Sequence, residues 1–271
     1  MRRIYMIILA AVISFAATAQ DLTILHMNDT HSHIDPERSG RDAGMGGVIE
    51  QAAYIDSVRC AVGKKNVLLL HAGDFGQGTS YFTELNGNVE IDVLNAMLYD
   101  AVTLGNHEFD NGMEELARRI RNLRVPVVCA NYDFTGSPLE GLVKPYVIVK
   151  KAGKKIGIVG VLTDVSTVVA REIADMLKYQ NPVEVMNKYA SYLKNDKKCD
   201  LVICLSHLGY DHRNSDCELA TQVRNVDIIV GGHSHTRLDD LTRVKDLDGK
   251  DVIILSDWKW GLTIGNLSVD F

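Results

Sequence analysis

The stretch Val102-Thr103-Leu104-Gly105-Asn106-His107-Glu108-Phe109-Asp110 begins apolar and stops abruptly at a chemically capable polar cluster. It reads as a buried strand that delivers side chains to a loop. Gly105 allows a sharp backbone turn, Asn106 offers a neutral oxygen, and His107 brings an imidazole that can bind a metal or move a proton. Asp110 follows His107 by three residues, so in a helical turn its carboxylate shares a face with the ring and can orient it. An Asp-oriented histidine beside an amide ligand suggests hydrolytic chemistry. Taken alone, Gly105-Asn106-His107-Glu108 is equally consistent with a capped helix start carrying a solvated histidine, and the rest of the chain has to decide.

Outward from this stretch, short β-rich runs alternate with helical patterns. Strands are expected at Leu22–Met27, 67–70, 101–104, 127–130, 146–149, 156–161, 201–205, 226–230, 252–255 and 262–269. Helices are expected at 48–58, 89–98, 113–120 and from Asn181-Pro182 to 193, with Pro182 in a first-turn position where its missing donor costs nothing. Strands separated by helices mean an α/β layer fold with a largely buried sheet. The late runs, with turns such as Asp248-Gly249 between them, look more antiparallel and predict a mixed sheet or sandwich.

The chain has 271 residues, 46% of them hydrophobic, and no internal repeat, so one large domain with a substantial core is the economical reading. Residues 1–19, with Met1-Arg2-Arg3, an apolar run from Ile4 and the small residues Ala17-Thr18-Ala19, have the pattern of a secretory signal peptide. The apolar run is shorter than the ~20 residues a membrane-spanning helix needs. Cleavage after Ala19 leaves Gln20 first, with no cysteine nearby for a lipid anchor. Residues 20–271 are therefore expected to act as a soluble domain, secreted or periplasmic, with no membrane anchor.

The formal charge is −6, from 29 basic and 35 acidic side chains, and loss of Arg2 and Arg3 with the leader makes it −8. Such a chain has no basic footprint for nucleic acid. An anionic substrate would need positive charge supplied locally, as bound metal ions do. Cys60, Cys129, Cys199, Cys204 and Cys217 form an odd set without a Cys-x-x-Cys pair, so buried free thiols are expected and a disulfide stays open.

Polar clusters follow five of the expected strands: Asn28-Asp29-Thr30-His31, Gly73-Asp74, Asn106-His107, Ser206-His207 and Gly231-Gly232-His233-Ser234-His235. In open α/β sheets, sites form in the crevice at the carboxyl ends of the strands, so clusters far apart in sequence would converge there. Asp29 and His31, and likewise His233 and His235, point to the same side if extended. Two carboxylates, one amide and four or five imidazoles exceed what one tetrahedral ion requires. Two ions sharing a bridging carboxylate fit better, and oxygen and nitrogen ligands without thiolate suit Mn, Zn, Fe or Co. Paired ions generate a hydroxide at neutral pH and clamp both oxygens of a phosphoryl displacement.

These blocks, Asp29-x-His31, Gly73-Asp74, Gly105-Asn106-His107-Glu108, His207 and Gly232-His233-Ser234-His235, resemble the signature of calcineurin-like metallophosphoesterases. The longer strings from Leu25 to His31, Gly105 to Asp110, Ser206 to Gly209 and Gly231 to Thr236 are similar to the catalytic domain of the secreted 5′-nucleotidase family. The resemblance runs from about Asp21 to the end of the chain. It implies a four-layer α/β/β/α metallophosphoesterase sandwich with mixed sheets, holding two divalent ions. Asp29, His31 and His235 would hold one ion, Asp74 would bridge, and Asn106, His207 and His233 would hold the other. His107, oriented by Asp110, would face the scissile phosphate, and a metal-held hydroxide would attack phosphorus in line. His26, His33, His71 and His212 have no place in the pattern, with His33 the alternative to His31 if the register shifts.

The implied activity is hydrolysis of phosphate monoesters, nucleotides in particular, with a broad phosphodiesterase, a nucleotide-sugar hydrolase or a hydrolase of sulfur esters as alternatives. A non-catalytic metal-binding subunit needs neither an oriented free imidazole nor an open coordination position. Members of the 5′-nucleotidase family continue into a second domain that stacks the nucleobase and supplies arginines to the phosphate. Here the run 262–271 reads as the last strand of the catalytic domain, so the nucleotide-binding domain is expected to be absent or supplied by a separate chain. Trp258 and Trp260, in an extended run, would face one side and pack against a helix.

Overall fold

The computed structural model describes residues 21–271. The expected leader, 1–19, and Gln20 lie outside them. Two six-stranded sheets face each other. The first runs β14 (Gly265–Val269), β1 (Leu22–Met27), β2 (Val67–His71), β3 (Ala101–Thr103), β4 (Val127–Val128) and β6 (Val143–Lys144). The second runs β12 (Thr242–Lys245), β13 (Asp251–Ser256), β11 (Ile228–Gly231), β10 (Leu201–His207), β8 (Lys154–Leu162) and β7 (Tyr146–Lys151). A two-stranded ribbon pairs β5 (Tyr132–Asp133) with β9 (Lys178–Tyr179).

Helices α1 (Val48–Val62), α2 (Ser80–Leu85), α3 (Asn88–Met97) and α4 (Met113–Asn122) come from the crossovers of the first sheet, and α6 (Pro182–Asn195) and α7 (Asp216–Gln222) from those of the second. The short α5 (Arg171–Ala174) precedes β9. Pro182 opens α6 as expected, with Asn181 capping the Val183 amide at 2.8 Å.

Period-two alternation along the strands separates three apolar layers. Leu22, Ile24, Leu68 and Leu70 of the first sheet meet Ile156, Ile158, Ile203 and Val230 of the second between the sheets. The opposite faces, Leu25, Met27, Leu69 and Val102, pack on Ile55, Leu94 and Leu116 of the helices. On the far side Val159, Val202, Cys204 and Ile229 pack on Met186, Leu193 and Leu219. A strand buried on both faces reads as a continuous apolar run, which is why β2 and β10 carry no polar alternation. The four-layer α/β/β/α sandwich with mixed sheets is thus present.

The mixture lies at the edges. β14 is antiparallel to β1, β12 to β13 and β7 to β8, whereas the remaining pairings in both sheets are parallel. The antiparallel character expected of the late strands is present where the Asp248-Gly249 turn joins β12 to β13, and in β14 against β1, whereas β13 lies parallel to β11; β12 is a strand of alternating exposure that hydrophobicity did not announce. All five cysteines are free; Cys129, Cys199 and Cys204 are buried, but Cys60 is exposed on α1.

Candidate metal centre

The five parallel strands carrying polar clusters deliver them to one edge of the sandwich. β1 leads into Asp29 and His31, β2 into Asp74, and β3 into Asn106 and His107; β10 ends on His207, and β11 leads into His233 and His235. Backbone bonds tie the loops together, with the Asp29 amide donating to the Gly73 carbonyl and the His31 amide to that of Asp74, both at 3.0 Å.

The extended geometry expected for the i, i+2 pairs does not occur. Asp29, His31, Asp74, His233 and His235 have φ between 46° and 76°, in the left-handed region that non-glycine residues rarely adopt. Each costs about 1–3 kcal/mol and persists only where its surroundings dictate it. The sharp folding sends neighbours to different places. His235 joins Asp29 and His31, whereas His233 joins Asp74 and His207, and within each trio the ligand atoms lie within 4.8 Å of one another.

In the first trio, His31 Nε2 lies 3.0 Å from His235 Nε2 and 3.8 Å from Asp29 Oδ1, and His235 Nε2 lies 3.5 Å from the same oxygen. In the second, His207 Nε2 is 3.0 Å from Asp74 Oδ2. The trios adjoin through their carboxylates: His31 Nε2 is 3.8 Å from Asp74 Oδ2, and His207 Nε2 is 3.9 Å from Asp29 Oδ1. Asn106 is buried, and its Oδ1 has no hydrogen-bond donor.

His207 shows that a cation fits. Its Nδ1 lies 2.6 Å from the Ala72 carbonyl, which can only accept, so Nδ1 carries a hydrogen. In a neutral ring the Nε2 lone pair then faces Asp74 Oδ2, and two lone pairs 3.0 Å apart repel unless a positive charge lies with them. In the bare protein that charge is a proton. Burial works to lower the His207 pKa, but the Asp74 carboxylate outweighs it and the ring is pushed up to about 10. Burial would likewise raise Asp74, yet His207, followed by His31, holds it well below the usual carboxylate range. His233, pushed down to about 4 by burial and then by His207, is a neutral imidazole ready to ligate. Nitrogen and oxygen donors of this mixture, in two adjoining sets, define a dinuclear divalent-metal centre.

His107 belongs to neither trio. A 3-10 turn, His107–Phe109, brings Asp110 back under the ring, with His107 Nδ1 2.8 Å from Asp110 Oδ2. The ring stands edge-on to His31 at 5.3 Å between centroids and is partly open to solvent, at 35% exposure against 7% for His31. The Asp110 hydrogen bond raises its pKa against the opposing effect of burial. Among the other histidines, His33 is held by Glu37 at 2.6 Å and stacks on Trp260, and His71 bonds Thr30. Neither is in a trio.

The two tryptophans do not lie in an extended run. Residues 257–261 form a loop before β14, with Trp258 and Trp260 at φ 56° and 59°, and the Trp260 amide donates to the Asp29 carbonyl at 2.7 Å. Asn28 completes that clamp, giving one hydrogen to Asp29 Oδ2 and one to the Trp258 carbonyl, both at 2.7 Å. Sequence reasoning gave Asn28 and the Ala72 carbonyl no role. The available signal for Asn28 was a polar residue directly between an apolar strand and a ligand.

The calcineurin-like phosphoesterase family model matches residues 22–237, and the chain belongs to that family. It is 33% identical over 273 residues to a probable 5′-nucleotidase of Treponema pallidum, covering 93% of this chain and 45% of the relative. Its fold superposes on the 5′-nucleotidase precursor of Thermus thermophilus with a TM-score of 0.83 at 36% identity, covering 93% of this chain and 51% of that one. The NAD nucleotidase of Haemophilus influenzae gives 0.82 at 31%, covering 93% and 53%. The chain thus spans about half the length of these relatives. Among the described residues, no helix is long and apolar enough to cross a membrane.

Proposed function

We propose that the chain is a metal-dependent phosphoesterase that hydrolyses phosphate monoesters, nucleotides among them, outside the cytoplasm. The observation that carries this reading is the pair of Asp/His trios adjoining through Asp29 and Asp74, with the His107–Asp110 pair beside them. Asp29, His31 and His235 would hold one divalent ion, Asn106, His207 and His233 the other, and Asp74 would bridge. Such ions lower the pKa of bound water and neutralise phosphoryl charge in an in-line displacement.

The chain's own residues then orient and handle protons. Asp110 engages His107 Nδ1, leaving Nε2 to donate to a phosphoryl oxygen or to the departing alkoxide. The upward shift of this ring favours the protonated form that such a donor needs. The names of the Treponema and Haemophilus relatives support a nucleotide as the substrate class. We assign base selectivity to groups outside residues 21–271, including a separate chain, because metal ions grip phosphate without reading a base.

Manganese-loaded protein should release phosphate from adenosine monophosphate and from 4-nitrophenyl phosphate, and act far more slowly on bis(4-nitrophenyl) phosphate. Preference for the diester would favour the phosphodiesterase reading. No turnover of any ester with metal bound would end both.

A further inference from the structure

We propose that Glu108 is a positioning residue that locks the two metal-bearing loops of the first sheet together, and that the affinity of the centre for its ions depends on it. Its side chain is fully buried and faces backbone amides. Oε2 accepts from the amides of Asp74 at 2.9 Å and Gly105 at 2.5 Å, and Oε1 accepts from Gly76 at 3.0 Å. One carboxylate therefore satisfies three donors from loops about thirty residues apart. Hydrogen bonds from backbone amides to an ionised carboxylate are among the stronger ones a protein makes.

What these bonds fix is the Asp74 carboxylate. Asp74 sits at φ 54°, a conformation that needs outside support. Glu108 grips its amide, and the next link runs from the His107 amide to Asp74 Oδ1 at 2.9 Å, leaving Oδ2 to face His207 and His31. Behind Glu108, the buried Arg119 donates to the Glu108 carbonyl at 2.7 Å and lies over the Phe82 ring, so the anchor has its own anchor on α4. A carboxamide cannot replace the carboxylate, because its NH2 group would oppose an amide N–H where only acceptors are tolerated.

The inference rests on the metal-centre reading but not on the substrate, and its test separates the two. Metal-free Glu108→Gln should bind manganese about ten- to a hundredfold more weakly than the parent in calorimetric titration, the range for losing a residue that orients a ligand. Its kcat at saturating metal should fall more than its KM rises. Two ions bound with parental affinity would overturn the proposal. If Glu108→Gln does not fold, hydrogen exchange on the metal-free parent decides: the Asp74, Gly76 and Gly105 amides should be protected, and rapid exchange at all three would overturn it. A parent that binds two ions but cleaves no phosphate ester would sink the proposed activity and leave the role of Glu108 standing.

Discussion

A β-carbon on Gly105 would lie 2.1 Å from Asp74 Oδ1 and 2.4 Å from the Asp74 amide nitrogen. Its backbone is not in the left-handed region, so the glycine serves close approach of two loops and not the sharp turn its sequence position suggested. Gly105→Ala should therefore displace Asp74, with metal content falling well below that of the parent and activity with it. Metal analysis of the reloaded, folded variant checks this. Full metal content would mean that the loops can part without consequence.

His107→Asn should lower kcat by roughly 10²–10⁴-fold, the cost of removing an acid–base group, while both ions stay bound. Asp110→Asn should cost less, since the Asp110 carboxylate acts through its hydrogen bond to the His107 ring. Steady-state kinetics with metal quantification on the same samples would settle the assignment. Loss of an ion in His107→Asn would make His107 a ligand.

These two residues mark how far sequence alone reaches. The spacing of His107 and Asp110 was legible because one helical turn fixes it, and the apolar strand runs were legible because burial on both faces leaves no alternation to misread. The partition of ligands came only with the family resemblance, which puts His235 with Asp29 and His31, and His233 with His207, as the structure does. Extended geometry would have sent His233 and His235 to one ion, and only backbone in the left-handed region separates them. That conformation is imposed by contacts such as the Asp29 carboxylate accepting from the His233 amide, between residues 204 apart in sequence. Glu108 was visible as a letter of the motif, but its role depends on three amides from two loops. β12 escaped because an edge strand of alternating polarity has no apolar run to betray it.

Acid should destabilise the metal-free fold in a defined window. Burial between the sheets pushes His26 from 6.5 down to about 4, and His71 shifts in the same direction, to about 3. Above pH 6.5 the His26 ring is neutral whether folded or not, and its contribution is complete. Between 6.5 and about 4 the unfolded chain takes up a proton that the folded one refuses, so stability falls as pH falls. For His26 the loss is on the order of 3 kcal/mol across that window. Urea unfolding of chelated protein at several pH values, repeated on His26→Leu, reads this directly. An unchanged slope in the variant would show that His26 does not carry the effect.

Diffraction from manganese-soaked crystals at the manganese absorption edge would show directly whether the two adjoining Asp/His sets hold two ions. Two anomalous peaks per chain are expected, one among Asp29, His31 and His235 and one among Asn106, His207 and His233, with Asp74 touching both and Asp74→Ala abolishing at least one. A single peak, or two peaks away from Asp74, would rule out a dinuclear centre shared through Asp74.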